Sequence, residues 1–309
     1  MEVIMSSTAA SAGASRRNPQ TANIDRLTTR EMLEAIGRED GKVVEAVTAC
    51  LPDIVRLVDN ATATISRGGR VVLAGAGASG RAAVLAAGEF APDNKHALMA
   101  LIAGGALSMM QTVDGVAGDY DRGLKDLKAI AFSENDMLIG LSVSGKTPWL
   151  WGAMRYAWSL GARVALISEA LDTEAAQLAE IAIQPQTGPE VVAGYNTPKA
   201  HLAQKHILNM LTTALAVRSG RVFGNLRVDV AASSTRWQER QIAIVMEAAG
   251  CGREEAKSAL AACGNHCRTA ILMLLSGLDA WRARELLSEN GDSLRIALAE
   301  AIGRSTVAG

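Results

Sequence analysis

The stretch "RVVLAGAGASGRAAVLAAGEF" (residues 70–90) determines the predicted fold. It begins with a short apolar, β-branched run that predicts a buried strand, and three glycines follow at Gly75, Gly77 and Gly80. The small-residue segment from about Gly80 to Glu89 then predicts a helix. A strand, a glycine-rich loop and a helix in this order indicate an α/β unit with parallel strands.

The same alternation continues along the chain. A helix is expected near Ala106 to Val113, after the second strand, and another from Pro148 to Gly161, after the third. The further predicted strands are in "ALMALIAGG" (97–105), "DMLIGLSVSGKT" (136–147), "RVALIS" (163–168) and "IAIQP" (181–185). We therefore predict a parallel sheet with helices on both faces, which binds its ligand beyond the carboxyl ends of the strands.

The flanking segments define the predicted domains. Residues 1–22 are expected to form a mobile tail, and residues 23–245 an α/β domain that includes helices before the sheet. Those helices begin at a capping box formed by Thr28 and Glu31. Residues 246–309 contain short amphipathic stretches separated by glycines, which predict a small helical bundle domain.

Composition excludes several classes of function. The net charge of −1 and the aromatic content of 4% argue against a nucleic-acid partner. Neither a secretory signal nor a membrane span is predicted, so we expect a soluble cytoplasmic protein. The four cysteines are too scattered for a disulfide framework, and the spacing of Cys251, Cys263 and Cys267 around His266 does not favour zinc; no metal is expected.

Two glycine loops match nucleotide-binding patterns but lack the acidic residues that usually accompany those patterns. Gly75, Gly77 and Gly80 fit the dinucleotide fingerprint, but the next strand does not end in the acidic residue that contacts the ribose. Gly145, Lys146 and Thr147 fit the end of a Walker A loop, but its first glycine lies inside a strand and no later strand supplies the magnesium aspartate. A nucleotide is therefore not the favoured ligand.

The features common to both loops suit a single phosphate. Each strand is followed by a small residue, a serine, a glycine and a cation, in residues 78–81 and 143–147. Hydroxyls and free backbone N–H groups at a helix N-terminus bind a phosphate dianion. The alternative is that both segments are only tight turns that require glycine.

Several segments resemble the N-acetylmuramic acid 6-phosphate etherases, which are sugar isomerase (SIS) domain proteins related to the glucokinase regulatory protein. They include "GAGASGR", "SVSGKTPW", "GPEVV", "SGRVFGNLRVDV" and "GCGREEAKSALAACGNHCRTAILMLL", and the likeness runs from about Ile24 to Leu298. The resemblance implies a flavodoxin-like SIS domain, a small helical C-terminal domain and a homodimer whose sites lie near the subunit interface. It also implies cytoplasmic carbohydrate metabolism in peptidoglycan recycling.

The implied reaction is cleavage of the lactyl ether, giving N-acetylglucosamine 6-phosphate and lactate. The family mechanism abstracts a proton beside the open-chain carbonyl, eliminates lactate and adds water, with no cofactor. The resemblance assigns Glu89 as the acid/base group and places Glu190 and Lys199 near the sugar. The positions matching its phosphate-holding loops are Ser79, Gly80, Ser144, Gly145, Lys146 and Thr147.

The sequence departs from the family pattern within the site. The family's second catalytic glutamate aligns with Ala117, and Asp114 and Asp119 are the nearest candidates to replace it. A further departure introduces His201 beside Lys199. Two alternatives to the etherase therefore stay open, which are a sugar-phosphate sensor with weakened catalysis and a phosphosugar isomerase that uses His201 and Glu190. His201 is equally compatible with a structural role at a helix start.

Overall fold

The computed structural model describes residues 16–90, 97–194, 196–231 and 233–307, and these form two compact units. The first unit extends to Glu89 and from residue 97 to Thr212, and the second contains Phe90 and the residues from Thr213 onward. Most of the predicted tail, residues 1–15, lies outside the described residues, and the predicted domain borders stay predictions. The chain is tied to the first unit from Asn18 onward, since Thr21 Oγ1 donates to the Val191 carbonyl at 2.7 Å.

A five-stranded parallel sheet forms the centre of the first unit. The strands are β1 (Val71–Gly75), β2 (Leu98–Ile102), β3 (Met137–Leu141), β4 (Arg163–Ile167) and β5 (Ile181–Ile183). Their order is β2-β1-β3-β4-β5, which is the flavodoxin-like order. In register, Gly75 stands between Ile102 and Leu141, so the first three strands end at one edge. The predicted fold and all five predicted strands are confirmed.

Helices cover the sheet because both faces of its strands are apolar. The helices of this part of the chain are α1 (Thr29–Ala49), α2 (Leu51–Ser66), α3 (Gly77–Phe90), α4 (Leu107–Met110), α5 (Tyr120–Ala129), α6 (Pro148–Ser159), α7 (Glu174–Leu178) and α8 (Pro198–Arg218), whose residues from Thr213 onward belong to the second unit. Val72 and Leu138 on one face pack in a core with Trp149 and Leu150 of α6. The intervening strand residues, such as Leu73, are also fully buried, and α2 contacts β1 and β5.

Two helix boundaries differ from the predicted ones. Helix α3 begins at Gly77, so Ser79 lies inside its first turn. Helix α4 ends at Met110 because Gln111 is extended, with φ −149° and ψ 166°. Thr112 and Val113 are β-branched, and Gly115 adopts a φ of +76° before a 3-10 helix at Val116–Gly118. The segment after β2 is therefore an irregular loop rather than a continuous helix.

The second unit is a helical bundle with one short hairpin. The hairpin pairs β6 (Val222–Phe223) with β7 (Leu226–Arg227), and the helices are α9 (Thr235–Ala249), α10 (Arg253–Ala262), α11 (Cys267–Ser276), α12 (Ala280–Glu289) and α13 (Leu294–Val307). Leu260, Ile271 and Leu286 pack in its core. The predicted glycine separators are confirmed, for example Gly277, which ends α11 with a φ of +74°. No helix in the described ranges is long and apolar enough to span a bilayer.

Candidate functional site

The two Ser-Gly segments meet where the strand order of the sheet reverses. Strands β1 and β3 are neighbours, but the chain leaves β1 toward β2 on one side and leaves β3 toward β4 on the other. The helices that follow are thereby led away from each other, which opens a crevice at the carboxyl ends of these two strands. The segment after β1, the first loop, carries Ser79 within the first turn of α3, and the segment after β3, the second loop, carries Ser144.

The first loop is fixed by close backbone contacts and by one buried hydroxyl. A Cβ at Gly80 would lie 2.6 Å from the Gly75 carbonyl oxygen and 2.6 Å from Ile102, so only glycine lets the start of α3 approach β1 this closely. The Ser79 hydroxyl donates to Gln204 Oε1 of α8 at 2.9 Å, and both residues are buried. Gln204 Nε2 has no partner within the described part of the chain.

The second loop is a tight turn with its polar groups arranged around Gly145. The Gly145 N–H donates to the Ser142 carbonyl at 3.2 Å, and the Lys146 N–H donates to Ser144 Oγ at 3.2 Å. Ser142 Oγ and Thr147 Oγ1 are 2.9 Å apart. Gly145 adopts a φ of +62°, while Ser144 and Lys146 are exposed. The loop thus presents a hydroxyl and a cation to solvent at the crevice.

Ser142 is a candidate site residue that the sequence analysis did not name. It is the first residue after β3, and its hydroxyl is bonded within the second loop to Thr147. A signal was present, because Ser142 lies two positions before Ser144 at a predicted strand end. Polar residues at the carboxyl end of a parallel strand are candidates for ligand contact by position alone.

A cleft of about 340 Å³ lies beside the first loop. Its walls come from the start of α3, the irregular loop after β2 and the segment before α8. They are formed by Gly77, Ala78, Arg81, Ser108, Gln111, Thr112, Val113, Val116, Ala117 and Asn196. Of these residues only Arg81 has a charged side chain, and its Nε donates to the Ser108 carbonyl at 3.0 Å. The volume is within the range of small-molecule sites.

Glu89 lies at the opposite end of α3 from Ser79. Ten residues of α-helix separate them, which corresponds to about 15 Å along the axis. The Glu89 carboxylate pairs with Lys205 Nζ at 2.6 Å, and 49% of its side chain is exposed. A sugar phosphate held at Ser79 therefore lies far from Glu89 of the same chain.

Glu190 and Lys199 are buried in a network that holds the N-terminus of α8. The Glu190 carboxylate accepts hydrogen bonds from the backbone N–H groups of Lys199 and Ala200, each at 3.0 Å, and so caps the helix. Lys199 Nζ donates to Glu39 Oε2 at 2.9 Å and to the Pro189 carbonyl at 2.8 Å. Both predicted sugar-binding side chains thus have partners within the protein.

Two further titratable groups adjoin this network. The carboxylate of Glu169 accepts hydrogen bonds from the N–H and hydroxyl of Thr187, but its Oε2 is buried with no partner among the residues described. Burial raises the pKa of Glu169, and the negative charge of Glu190 raises it further. Burial lowers the pKa of His201, whose Nδ1 is 3.3 Å from Thr197 Oγ1. The structure therefore favours a neutral imidazole at His201.

Two curated relatives match nearly the whole chain. The N-acetylmuramic acid 6-phosphate etherase of Klebsiella aerogenes is 45% identical over 286 residues, covering 92% of this chain and 95% of that protein. The enzyme of the same name from Photobacterium profundum is 46% identical over 286 residues, with the same coverage. The chain belongs to the N-acetylmuramic acid 6-phosphate etherase family. The predicted family resemblance is confirmed.

Two further comparisons agree with the etherase fold. The family model of the glucokinase regulatory protein N-terminal SIS domain matches residues 53–158, which include β1, β3 and both Ser-Gly loops. A phosphoheptose isomerase from Francisella tularensis has a similar structure, with a TM-score of 0.50 and 17% sequence identity over 61% of this chain and 98% of that one. The first unit is therefore an SIS fold.

Ala117, the position at which the sequence analysis expects the second etherase glutamate, has no carboxylate. Ala117 is exposed at the wall of the cleft. Asp119 caps α5, since its carboxylate accepts the Arg122 N–H at 2.9 Å, and Asp114 is exposed in the preceding turn. Neither aspartate lines the cleft.

Two cysteines of this etherase-family chain, Cys263 and Cys267, serve packing in the second unit. Cys263 and Cys267 are buried among the apolar residues of α10 and α11. Burial raises the pKa of Cys267 to about 12, which keeps its thiol protonated at neutral pH. The described residues contain no group of three or more His, Cys, Asp or Glu side chains that could hold a metal ion.

Proposed function

We propose that this chain is a carbon–oxygen lyase that cleaves the lactyl ether of N-acetylmuramic acid 6-phosphate, giving N-acetylglucosamine 6-phosphate and lactate. Identity of 45% with etherases over 92% of the chain carries this proposal. The two Ser-Gly loops at the strand-order reversal support it, because they offer hydroxyls and a cation to one phosphate. We place the reaction in the cytoplasm, in peptidoglycan recycling.

The phosphate and the sugar are proposed to occupy adjoining parts of the site. Ser79 and Gly80 of the first loop, with residues 144–147 of the second, bind the phosphate. The sugar extends from there into the cleft past Gly77 and Ala78, which belong to both features. Glu190 and Lys199 act indirectly, because they hold the N-terminus of α8, from which Gln204 reaches Ser79.

The reaction follows from the acidity of a carbon beside a carbonyl. A base removes the proton at C2 of the open-chain aldehyde, the C3–O bond breaks, and lactate leaves once its oxygen is protonated. Water then adds at C3 of the unsaturated aldehyde, and the proton returns to C2. Glu89 is proposed as the carboxyl group that protonates the departing oxygen and later accepts the proton of water.

We propose that Glu89 performs this task in the site of a second copy. The separation of about 15 Å along α3 supports a homodimer in which each chain supplies the phosphate loops of one site and Glu89 of the other. Glu89 is exposed, as a residue that serves another subunit must be.

Lactate release from N-acetylmuramic acid 6-phosphate tests the proposal. Glu89→Gln should lower turnover by about a hundredfold or more, since it removes a general acid, while sugar-phosphate binding by calorimetry persists. Glu34→Gln is the matched control, because Glu34 is similarly exposed at 52% and also has one ion pair. The proposed reaction is wrong if the wild-type protein releases no lactate, and Glu89 has no part in it if Glu89→Gln retains full turnover.

One observation favours the second candidate, a sugar-phosphate sensor. Ala117 leaves the cleft wall without the carboxylate that the family pattern places there. Binding of the sugar phosphate without lactate release would indicate this function. The isomerase alternative finds less support, because both carboxylate oxygens of Glu190 accept backbone N–H groups.

A further inference from the structure

We propose that Arg81 binds the lactyl carboxylate of the substrate and makes the cleft selective for muramic acid phosphates. The inference rests on the proposed function and adds a residue and a ligand group to it. It starts from an arginine with only one of its guanidinium N–H donors bonded within the described part of the protein.

Arg81 is held in place but retains free donors. It is the fifth residue of α3 and is partly buried. Its Nε donates to the Ser108 carbonyl at 3.0 Å, and this is its only side-chain hydrogen bond or ion pair among the residues described. A guanidinium carries five N–H donors in a rigid fork, so the two terminal amino groups are left for a ligand. The bond to Ser108 fixes the orientation of the fork in advance.

The charged side chain that lines the cleft is positive, as expected for a site that binds an anion. None of its described lining residues is acidic, so no carboxylate of the cleft neutralises Arg81. The polar side chains around it are uncharged, namely Ser108, Gln111, Thr112 and Asn196. A partly desolvated arginine without a protein counter-ion favours a bidentate carboxylate or phosphate.

The chemistry of the substrate decides between these two anions. N-acetylmuramic acid 6-phosphate has a phosphate at one end and a carboxylate on its lactyl ether. The phosphate is proposed to bind the two Ser-Gly loops, which leaves the carboxylate for Arg81, a residue that lines the cleft together with Gly77 and Ala78. The product N-acetylglucosamine 6-phosphate lacks this carboxylate, so the same contact separates substrate from product.

Calorimetric titration of the full-length protein with both sugar phosphates tests the assignment, with Glu89→Gln present in the reference protein and in every variant so that the substrate is not cleaved during the titration. Arg81→Gln keeps a donor near Ser108 and removes the charge, and it should weaken binding of N-acetylmuramic acid 6-phosphate by about tenfold or more. Binding of N-acetylglucosamine 6-phosphate should change by less than about twofold. Arg56→Gln is the control, because Arg56 is also an arginine that donates to a backbone carbonyl, that of Glu180.

A substrate analogue with the lactyl carboxylate converted to an amide completes the test. The wild-type protein should bind this amide as weakly as Arg81→Gln binds the substrate, and Arg81→Gln should lose nothing further with it. Equal weakening of both sugar phosphates in Arg81→Gln would place Arg81 on the phosphate and overturn the inference. An unchanged affinity for the substrate would overturn it as well, while the proposed lyase reaction would stand. If the wild-type protein binds neither sugar phosphate, the proposed function fails together with the inference.

Discussion

The hydroxyl of Ser79 has one proton, and the structure directs that proton to Gln204 Oε1 at 2.9 Å. A hydroxyl whose proton is already donated cannot also donate to a phosphate dianion. The buried Nε2 of Gln204 meanwhile has no partner in the described chain. Binding of phosphate therefore favours reversal of the Gln204 amide, so that its N–H donates to Ser79 and the serine proton turns to the ligand. Gln204 is in this sense a positioning residue.

Two substitutions of Gln204 should show whether its hydrogen bonding to Ser79, rather than the space that its side chain fills, controls sugar-phosphate affinity. Gln204→Glu places an acceptor-only, negatively charged group behind Ser79 and should weaken binding of N-acetylglucosamine 6-phosphate by about tenfold or more. Gln204→Met keeps the length of the side chain and frees the serine proton, so its affinity should stay within about threefold of the wild type. Calorimetry gives both affinities, and thermal unfolding checks that both variants fold. Equal losses in the two variants would contradict the orienting role.

Single residues of the site were predictable where strand ends and glycines mark them. Ser79 and Ser144 follow predicted strands, and the structure places both loops at neighbouring strand ends. The pairing of Lys199 with Glu39 was not predictable, because the two residues are 160 positions apart and no local pattern connects them. Their burial in one network with Glu190 is a property of the folded chain.

At the scale of secondary-structure elements, the contact between β1 and α3 is the one that least tolerates an added side chain. Gly75 and Gly80 face each other across the turn, and a Cβ at either position would lie 2.9 Å or less from the backbone of the other. Backbone cannot yield as a flexible side chain can, so α3 can start at Gly77 only with glycine at these two positions. The fingerprint that looked like dinucleotide binding is thus explained by close packing of a helix against a strand.

Gly80→Ala should therefore destabilise the fold by about 1–3 kcal/mol, because the added methyl overlaps the Gly75 carbonyl and Ile102. Gly88→Ala is the control on the same helix, where an added Cβ meets nothing within 4 Å. This second change should stabilise the protein by about 0.5–1 kcal/mol, since alanine favours helix. Urea unfolding measures both, and a neutral Gly80→Ala would show that the contact is not tight in solution.

The sheet was predictable and the loop after β2 was not. Five apolar runs between helical segments identify five strands, because strands buried on both faces are continuously apolar. The expected helix near Ala106 to Val113 ends instead at Met110. Helical propensity competes there with β-branched residues and with the turn at Gly115, and the tertiary packing that decides between them is not visible in a local pattern.

At the scale of the whole molecule, the length of α3 separates two groups of the proposed site, namely the phosphate contact at Ser79 and the acid/base group at Glu89. Ser79 and Glu89 stand about 15 Å apart on one rigid helix, so no loop movement in a single chain brings them together. The proposed two-fold dimer would bring them together, because it repeats both groups and would let the end of one helix approach the start of its mate.

Mixing two inactive variants tests this arrangement. Glu89→Gln lacks the acid/base group and Ser144→Ala weakens the phosphate loop, so each homodimer should release little lactate. A mixed dimer contains one site with both defects and one intact site, and random exchange should restore roughly a quarter of wild-type activity. Subunits are exchanged by co-refolding or co-expression, and lactate release is measured. No recovery in verified mixed dimers would place Glu89 and the phosphate loops in one chain.

Different strand-to-helix segments of the chain form the crevice and the adjoining cleft. The proposed phosphate contacts come from the segments after β1 and β3, whereas much of the cleft wall, including Ala117, comes from the segment after β2. Mutations in the segment after β2 can change which sugar the cleft accepts, while the proposed phosphate contacts of the other two segments stay intact. An etherase scaffold of this kind can therefore evolve new substrate preferences by altering one loop, without first losing its affinity for phosphorylated sugars.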